Sequence, residues 1–291
     1  MEKKRKNKKR ERENDDDDME IEDQEEVFDL ENKINDEIEN VEFNFSNILE
    51  NDYHSLKSLL QPNFQFENIN VGELANLLIS QHEDVGTTIR SDEQIFGLFS
   101  YVPLSSNLAK KGHSSFIDDF YNFLNLKVNK ADEINKKKIL EIIDNKNLNL
   151  GLIISERIIN LPEETVPPAL GLATKEINEC REVEDNYDKR FDFDYLILIS
   201  KFVKILGNNR KDNKKMKKNA KSLENNEAYY KFETIFFLNK ADASIEYKIP
   251  YKENNMDILE NSNQPQYIKI LFIKAKDYYN IIQQKLGCKF E

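Results

Sequence analysis

The sequence predicts an α/β domain with a mixed sheet, preceded by a charged leader, and three observations support this prediction. From residue 41 onward, short runs with the two-residue period of strands alternate with runs that have the period of helices. The run Leu150–Ser155 is almost continuously apolar, as in a strand that is covered on both faces. Residues 1–42 carry −9 of the formal net charge of −12, so the rest of the chain is close to neutral.

The leader, residues 1–40, is predicted to be disordered because like charges at high density resist collapse. Residues 1–12 contain eight Lys or Arg and two acidic residues, whereas residues 13–42 contain sixteen acidic residues and one lysine. A basic cluster of the nuclear-import type is formed by Lys3, Lys4, Arg5, Lys6, Lys8, Lys9 and Arg10. We expect the leader either to bind partners or to act only as a solvated tail. The predicted partner-binding side chains are Asp15, Asp16, Asp17, Asp18, Glu20, Glu22, Asp23, Glu25 and Glu26.

The first half of the body predicts a strand, two helices, a hairpin and two further helices. Val41, Phe43 and Phe45 alternate with polar residues, which is the period of a strand. Asp52 is placed to cap the helix that follows, and Pro62 is placed to end it. The predicted elements are a strand at 41–45, helices at Tyr53–Leu60 and Val71–Ile79, a hairpin of Val85–Arg90 with Ile95–Val102, and helices at Phe116–Leu124 and Ile134–Ile143.

The second half predicts more strands than helices. Pro167 and Pro168 can open a helix, because the first helical turn leaves its N–H groups unbonded, and Gly287 can end one. The predicted elements are the strand at 150–155, a helix from the prolines to about Arg181, strands at Phe191–Ile205, Tyr229–Leu238, Ser244–Ile249 and Tyr267–Ile273, and a helix at Asp277–Leu286.

Residues 208–226 contain seven Lys or Arg and few apolar residues, so we expect a lysine-rich loop. Such a loop could contact RNA or phosphate. A solvated insertion is the favoured interpretation, because no aromatic residue lies between the basic residues to stack on bases. With this loop included, residues 41–291 are predicted to form a single domain.

Catalytic and metal-binding motifs are absent from the sequence. The eight glycines stand too far apart for a phosphate-binding loop, and His54, His82 and His113 form no metal-binding motif. Ser155 and Cys180 are isolated nucleophile candidates without an adjacent base. Two cysteines, and no apolar run near the roughly 20 residues of a membrane span, predict a soluble intracellular protein.

Four stretches follow the leader in an order that is similar to a known family. They are Val41–Phe45 with Asp52–Leu60, Glu73–Gln81 with Val85–Arg90, Gly151–Pro168, and Phe193–Lys204 with Tyr229–Phe237. Together they resemble the BCCIP family over residues 41–287, and the third stretch is the most specific. The residues that match the family motif are Gly86, Glu156, Arg157, Asn160, Pro162, Pro167 and Pro168. One departure is Gly171, near which family members often carry a bulky aromatic residue.

The resemblance implies a core similar to GNAT acetyltransferases, without the glycine-rich acetyl-CoA loop and without any cofactor. Some family members act as chaperones for a basic large-subunit ribosomal protein and support nuclear export. Animal members are linked to homologous-recombination repair and cell-cycle control. We therefore expect a non-catalytic nuclear protein that shuttles to the cytoplasm and escorts a basic ribosomal protein or another nuclear client. Nuclear import and export receptors are further expected partners, whereas a membrane or direct nucleic-acid contact is not expected. The alternatives are a repair and cell-cycle adaptor and, after it, a GNAT-like acyltransferase.

Overall fold

The computed structural model describes residues 42–64, 67–104, 114–182, 189–205, 226–250 and 265–289. These ranges contain eight strands and six α-helices. The strands are β1 Asn44–Asn47, β2 Thr87–Ser91, β3 Gln94–Pro103, β4 Leu150–Arg157, β5 Tyr195–Lys204, β6 Glu227–Tyr229, β7 Ala243–Lys248 and β8 Gln266–Lys274. The helices are α1 Tyr53–Phe64, α2 Val71–Ser80, α3 Ser115–Lys127, α4 Glu133–Ile143, α5 Val166–Glu182 and α6 Ala275–Leu286.

All eight strands belong to one sheet with the order β1-β2-β3-β4-β5-β8-β7, in which β6 also pairs with β5. Neighbouring strands are antiparallel except β4 and β5, which run parallel. The apolar run at 150–155 predicted a buried central strand. It forms part of β4, which lies between β3 and β5. The predicted α/β class with a mixed sheet is confirmed.

Each face of the sheet carries its own hydrophobic core. The first core joins alternate residues of β3, β4, β5, β7 and β8 to the four helices α1 to α4. The second core joins the other residues of β3, β4, β5 and β8 to α5 and α6. Because side chains alternate between the faces of a strand, one chain segment supplies both cores, and each fully buried Leu, Ile or Phe contributes about 1.5–3 kcal/mol.

The ends of the helices follow local rules that the sequence contains. Asn70 accepts hydrogen bonds from the N–H groups of Gly72 and Glu73, and so caps α2. Asp132 caps α4 in the same way. Pro167 and Pro168 lie in the first turn of α5, and α6 ends at Gly287 in the left-handed conformation, with φ of 69°. Both predictions for α5 and α6 are confirmed.

Three local predictions are wrong. Pro62 does not end the first helix, because α1 continues to Phe64; a proline removes one N–H donor, and burial of Leu60 and Phe64 offsets that loss. The segment 229–238 is not a strand; the end of β6 is followed by a 3-10 turn at Phe232–Phe236. In addition, Asp52 does not cap α1 but accepts from the N–H of Leu49, which lies before it.

The whole leader, residues 1–40, and all of the lysine-rich loop except Asn226 lie outside the described residues. No helix within the described ranges has both the length and the apolar character that crossing a membrane would require. Gly171, the departure noted above, lies in α5 against the end of the chain. A β-carbon at this position would stand 2.8 Å from the carbonyl oxygen of Lys289, so the close approach of this backbone favours glycine.

Candidate functional site

The parallel strands β4 and β5 separate after a short contact. Leu150, Gly151 and Leu152 of β4 pair with the first three residues of β5, and no further pairs follow. In α/β sheets, ligands bind outside the carboxyl ends of neighbouring parallel strands, where backbone groups become free. The gap between β4 and β5 is therefore the first place to look for a ligand site.

The chain itself fills this gap with the segment 227–234. The N–H of Tyr230 donates to the carbonyl of Lys201 at 3.1 Å, and Lys231 Nζ donates to the carbonyl of Ile199 at 3.1 Å. Thr234 Oγ1 donates to Ser200 Oγ at 2.8 Å. Groups of β5 that would otherwise face an opening are thus bonded internally.

Two buried ion pairs connect this segment to β4. Lys231 Nζ lies 2.6 Å from Oε1 of Glu156. Arg157 binds Glu233 with two hydrogen bonds, of 2.9 and 2.8 Å, in the bidentate arrangement that fits guanidinium to carboxylate. The four side chains are nine-tenths or more buried, so each charge depends on its partner.

Ser155 is hydrogen-bonded to the ion pair of Arg157 and Glu233. Its Oγ donates to Glu233 Oε1 at 2.8 Å, so this hydroxyl is held by a carboxylate that is itself neutralised by Arg157. Burial acts to raise the pKa of Glu233, but the charge and hydrogen bonds of Arg157 hold that pKa below its ordinary value. Glu233 in turn raises the pKa of Arg157 against the effect of burial. An ionised, occupied carboxylate of this kind is a poor general base, so the geometry gives Ser155 a structural role.

The motif residues do not form a single site. Glu156 and Arg157 lie at the filled gap, whereas Asn160 and Pro162 lie exposed in the turn that follows β4. Pro167 and Pro168 begin α5.

Gly86 is separate from the other motif residues. Its N–H donates to Glu176 of α5 at 2.8 Å, and its carbonyl accepts from the N–H of Ile48 at 3.1 Å. A β-carbon on Gly86 would collide with the Ile48 side chain. Burial raises the pKa of Glu176, although its bonds to Gly86 and Thr87 oppose that rise. These contacts give Gly86 a role in fastening α5 to the β1–β2 side of the sheet.

Lys231 and Glu233 were not identified from the sequence. Both lie in the apolar stretch 229–238. Charged residues in such a stretch are buried only when they are paired, so their presence at alternate positions was a signal of buried ion pairs. The import-like residues Lys3–Arg10 and the acidic residues Asp15–Glu26 lie outside the described residues, so their role stays a prediction.

The buried polar side chains at the gap are all hydrogen-bonded within the protein. Among the buried side-chain nitrogen and oxygen atoms of the described residues, Ser114 Oγ and Tyr279 Oη alone lack a hydrogen-bond partner, and neither residue belongs to the gap. Within the same ranges, no group of three or more His, Cys, Asp or Glu side chains could hold a metal ion.

Comparisons with known proteins agree on one family. The family model named BCCIP matches residues 38–245. Protein BCP1 of Debaryomyces hansenii is 30% identical over 59% of this chain and 57% of its own length. The BRCA2 and CDKN1A-interacting protein of Bos taurus is 27% identical over 74% of this chain and 71% of its own length. The crystal structure of BCP1 from Saccharomyces cerevisiae aligns with 86% of this chain and 89% of its own, with 21% identity and a TM-score of 0.53.

Proposed function

This chain belongs to the BCCIP family, and from this premise we propose that it is a non-catalytic nuclear escort for a basic large-subunit ribosomal protein. The name of the Bos taurus relative describes a protein that interacts with BRCA2 and CDKN1A. The escort role specifies the class of partner. It is a basic protein whose RNA-binding surface must be shielded until the protein is assembled into the ribosome. Import through the Lys3–Arg10 cluster and export with the client complete the proposal.

One observation carries the proposal, the segregation of charge in the leader. Residues 13–42 hold a net charge of −15, whereas the folded body is close to neutral. A new ribosomal protein exposes Lys and Arg that will later neutralise phosphates. An acidic segment attracts such a surface over a Debye length of about 8 Å at cellular salt, which speeds encounter and selects basic partners.

The folded body supports binding over catalysis. The opening between β4 and β5, where a coenzyme could enter, contains Lys231 and the backbone of Tyr230. The charged side chains that line it already form ion pairs, Lys231 with Glu156 and Arg157 with Glu233. A ligand at this point would have to break those pairs, which costs about 3–5 kcal/mol for each buried pair.

A retention experiment tests the escort role. The full chain is immobilised and incubated with proteins extracted from purified large ribosomal subunits, at low and at about 0.5 M salt, and the retained proteins are identified by mass spectrometry. We expect one or a few basic proteins to be retained at low salt and fewer at high salt, because added ions screen the attraction between the acidic leader and a basic protein.

A matched variant isolates the leader's charge. Asp15–Asp18 are changed to Asn, and Glu20, Glu22, Glu25 and Glu26 to Gln, which keeps the length and polarity of the leader. This variant should retain at least tenfold less of the same protein. If the unmodified chain retains no ribosomal protein at either salt concentration, the escort role is wrong.

A repair and cell-cycle adaptor is the second candidate, and the name of the Bos taurus relative favours it. The two functions separate in cells that lack the protein. Loss of an escort should deplete large ribosomal subunits while recombination continues at its normal rate, whereas loss of an adaptor should produce the opposite result. A GNAT-like acyltransferase is tested by titration with acetyl-CoA, which we expect to give neither heat nor a shift in melting temperature.

A further inference from the structure

Exposed apolar side chains are concentrated at one corner of the sheet. Phe45, Ile158 and Leu172 are 38%, 39% and 40% exposed, and Ile159 is 59% exposed. These residues come from β1, from the turn after β4 and from α5. Phe45 pairs in register with Ile89, which belongs to the core beneath α5, so Phe45 lies on the face of the sheet that α5 covers.

Contacts make these residues neighbours. The rings of Phe43 and Phe96 meet edge to face at 5.6 Å, and Phe96 is the extra residue of a bulge where β3 faces β2. The carbonyl of Phe96 accepts from the N–H of Ile158 at 3.0 Å. Leu172 lies one helical turn before Glu176, whose bond to Gly86 shows that this flank of α5 faces the β1–β2 side. We call this set the β1 corner: Phe43, Phe45, Phe96, Ile158, Ile159 and Leu172.

The free edge of β1 borders this corner. Within the residues that the structure describes, β1 stands at the end of the sheet and pairs with β2 alone. The N–H of Ile48 donates to Gly86, so by alternation the N–H groups of Phe45 and Asn47 face the open edge. At the opposite edge, by contrast, Ser244 of β7 donates its N–H to Asn135 of α4. An open edge beside apolar side chains is the surface that extended peptides use for strand addition.

The charges around the β1 corner are acidic. Asp92 and Glu93 form the exposed turn between β2 and β3, next to the end of β1 at which the chain enters. Glu42 is exposed and immediately precedes Phe43 in the chain, so it adds a third acidic side chain. The basic side chains of the same elements each have an acidic partner: Arg90 pairs with Asp52, Arg157 with Glu233, Arg181 with Asp192, and the exposed Lys175 with Glu179 at 3.8 Å.

We infer that the β1 corner is the docking surface for the basic client, an inference that rests on the proposed escort function. An extended basic segment of the client adds as a strand to the free edge of β1. Its apolar side chains pack against Phe45 and Leu172, and its Lys and Arg side chains face Asp92 and Glu93. The apolar contacts hold the client, and the acidic charges select it and bring it to the surface.

Photo-crosslinking of the full chain tests this surface. Benzoylphenylalanine replaces Phe45 in one variant, Leu172 in a second and Leu126 in a control. Leu126 is 71% exposed on α3, which covers the other face of the sheet. Each variant is mixed with the purified large-subunit ribosomal proteins, irradiated and analysed by mass spectrometry. We expect positions 45 and 172 to crosslink the same basic protein at least tenfold more than position 126.

Other outcomes would overturn the inference. Equal crosslinking from all three positions, or crosslinking from position 126 alone, would place the client elsewhere and leave the escort function intact if the unmodified chain still retains the client. Crosslinks to residues 1–41 of the same chain would show that the leader occupies the corner, and crosslinks between two copies would show a self-association surface. If the unmodified chain retains no ribosomal protein, the escort function fails, and the inference fails with it.

Charge and backbone variants provide an independent measurement. Phe45→Glu and Leu172→Glu should each reduce retention of the client at least tenfold, whereas Leu126→Glu should leave it within twofold. Asn47→Pro removes an outward N–H and no ladder bond, so it should also weaken retention if the client adds as a strand. Thermal melting of every variant identifies any that fail to fold. Normal retention by folded Phe45→Glu and Leu172→Glu would exclude the β1 corner.

Discussion

Lys231 and Glu156 form an ion pair across the gap between the parallel strands β4 and β5, with Lys231 Nζ 2.6 Å from Glu156 Oε1. Both residues are at least nine-tenths buried, and Lys231 also donates to the carbonyl of Ile199. The pair holds the segment 227–234 in the place where the two strands part. Because water cannot hydrate either charge there, removing one partner leaves the other as an unpaired buried charge. The resulting loss of stability measures how much the fold depends on the pair.

Lys231→Met should destabilise the fold by about 3 kcal/mol, because it leaves Glu156 as a buried charge without its cation. Urea unfolding measures the loss. The double variant Lys231→Met with Glu156→Gln should lose less than the sum of the two single variants, since the second change removes the unpaired charge. The matched control is Lys175→Met, whose ion pair with Glu179 is exposed and should cost less than about 0.5 kcal/mol. Additive losses in the double variant would show that the two side chains are not coupled.

The pair of Glu233 and Arg157 should make stability depend on pH in the acid range. The pKa of Glu233 in the folded protein lies below the ordinary value of 4.5, because Arg157 outweighs the effect of burial. The unfolded chain therefore binds a proton more readily than the folded one, and the stability from this pair is present above about pH 4.5 and lost as the pH falls through the folded pKa.

This dependence can be measured with Glu233→Gln. Near neutral pH the variant should be less stable than the parent by about 3 kcal/mol, since Arg157 loses its counter-charge. The difference should shrink as the pH falls below about 4.5 and through the folded pKa, where the parent carboxylate also becomes protonated. Glu164→Gln, at an exposed position of the neighbouring turn, should show no difference at any pH. A difference that stays constant across this range would contradict the assigned pKa shift.

Local sequence rules predicted the regular elements well. The hairpin of β2 and β3, the buried strand β4, the prolines at the start of α5 and Gly287 after α6 all depend on neighbouring residues, and the structure confirms each of them. The segment 229–238 was misassigned because its apolar residues fit a strand equally well. Only the partners Glu156 and Arg157, more than seventy positions earlier, show why Lys231 and Glu233 turn inward instead.

The candidate site was less predictable than the fold. The motif residues Glu156 and Arg157 could be selected from the sequence, but their role depends on the distance between β4 and β5. The β1 corner could not be predicted, because Phe45 and Leu172 have the same residue types as core positions. Their exposure depends on how β1 and α5 pack in the fold, which is a tertiary property.

The two cysteines should react at very different rates in the folded protein. Burial raises the pKa of the Cys288 thiol to about 12, so almost none of it is thiolate at about pH 8. Cys180 is only half-buried, with its Sγ donating to the carbonyl of Asp84. Labelling with a chromogenic disulfide reagent should modify one thiol in native protein and both in urea. Cys180→Ser should abolish the native reaction, whereas retention of one fast thiol in that variant would contradict the burial of Cys288.

Gly171→Ala should destabilise the protein even though alanine is the better helix former. In an isolated helix the change would be favourable by about 1 kcal/mol. In this fold the new methyl group would stand 2.8 Å from the carbonyl oxygen of Lys289, so helix and chain end must move apart, at a cost of about 1–3 kcal/mol. The matched comparison is the same substitution in a chain that ends at Gly287, where the obstructing carbonyl is gone and alanine should stabilise. Urea unfolding of the four proteins measures both differences, and the same sign in both backgrounds would show that the approach of Lys289 is not the reason for glycine at this position.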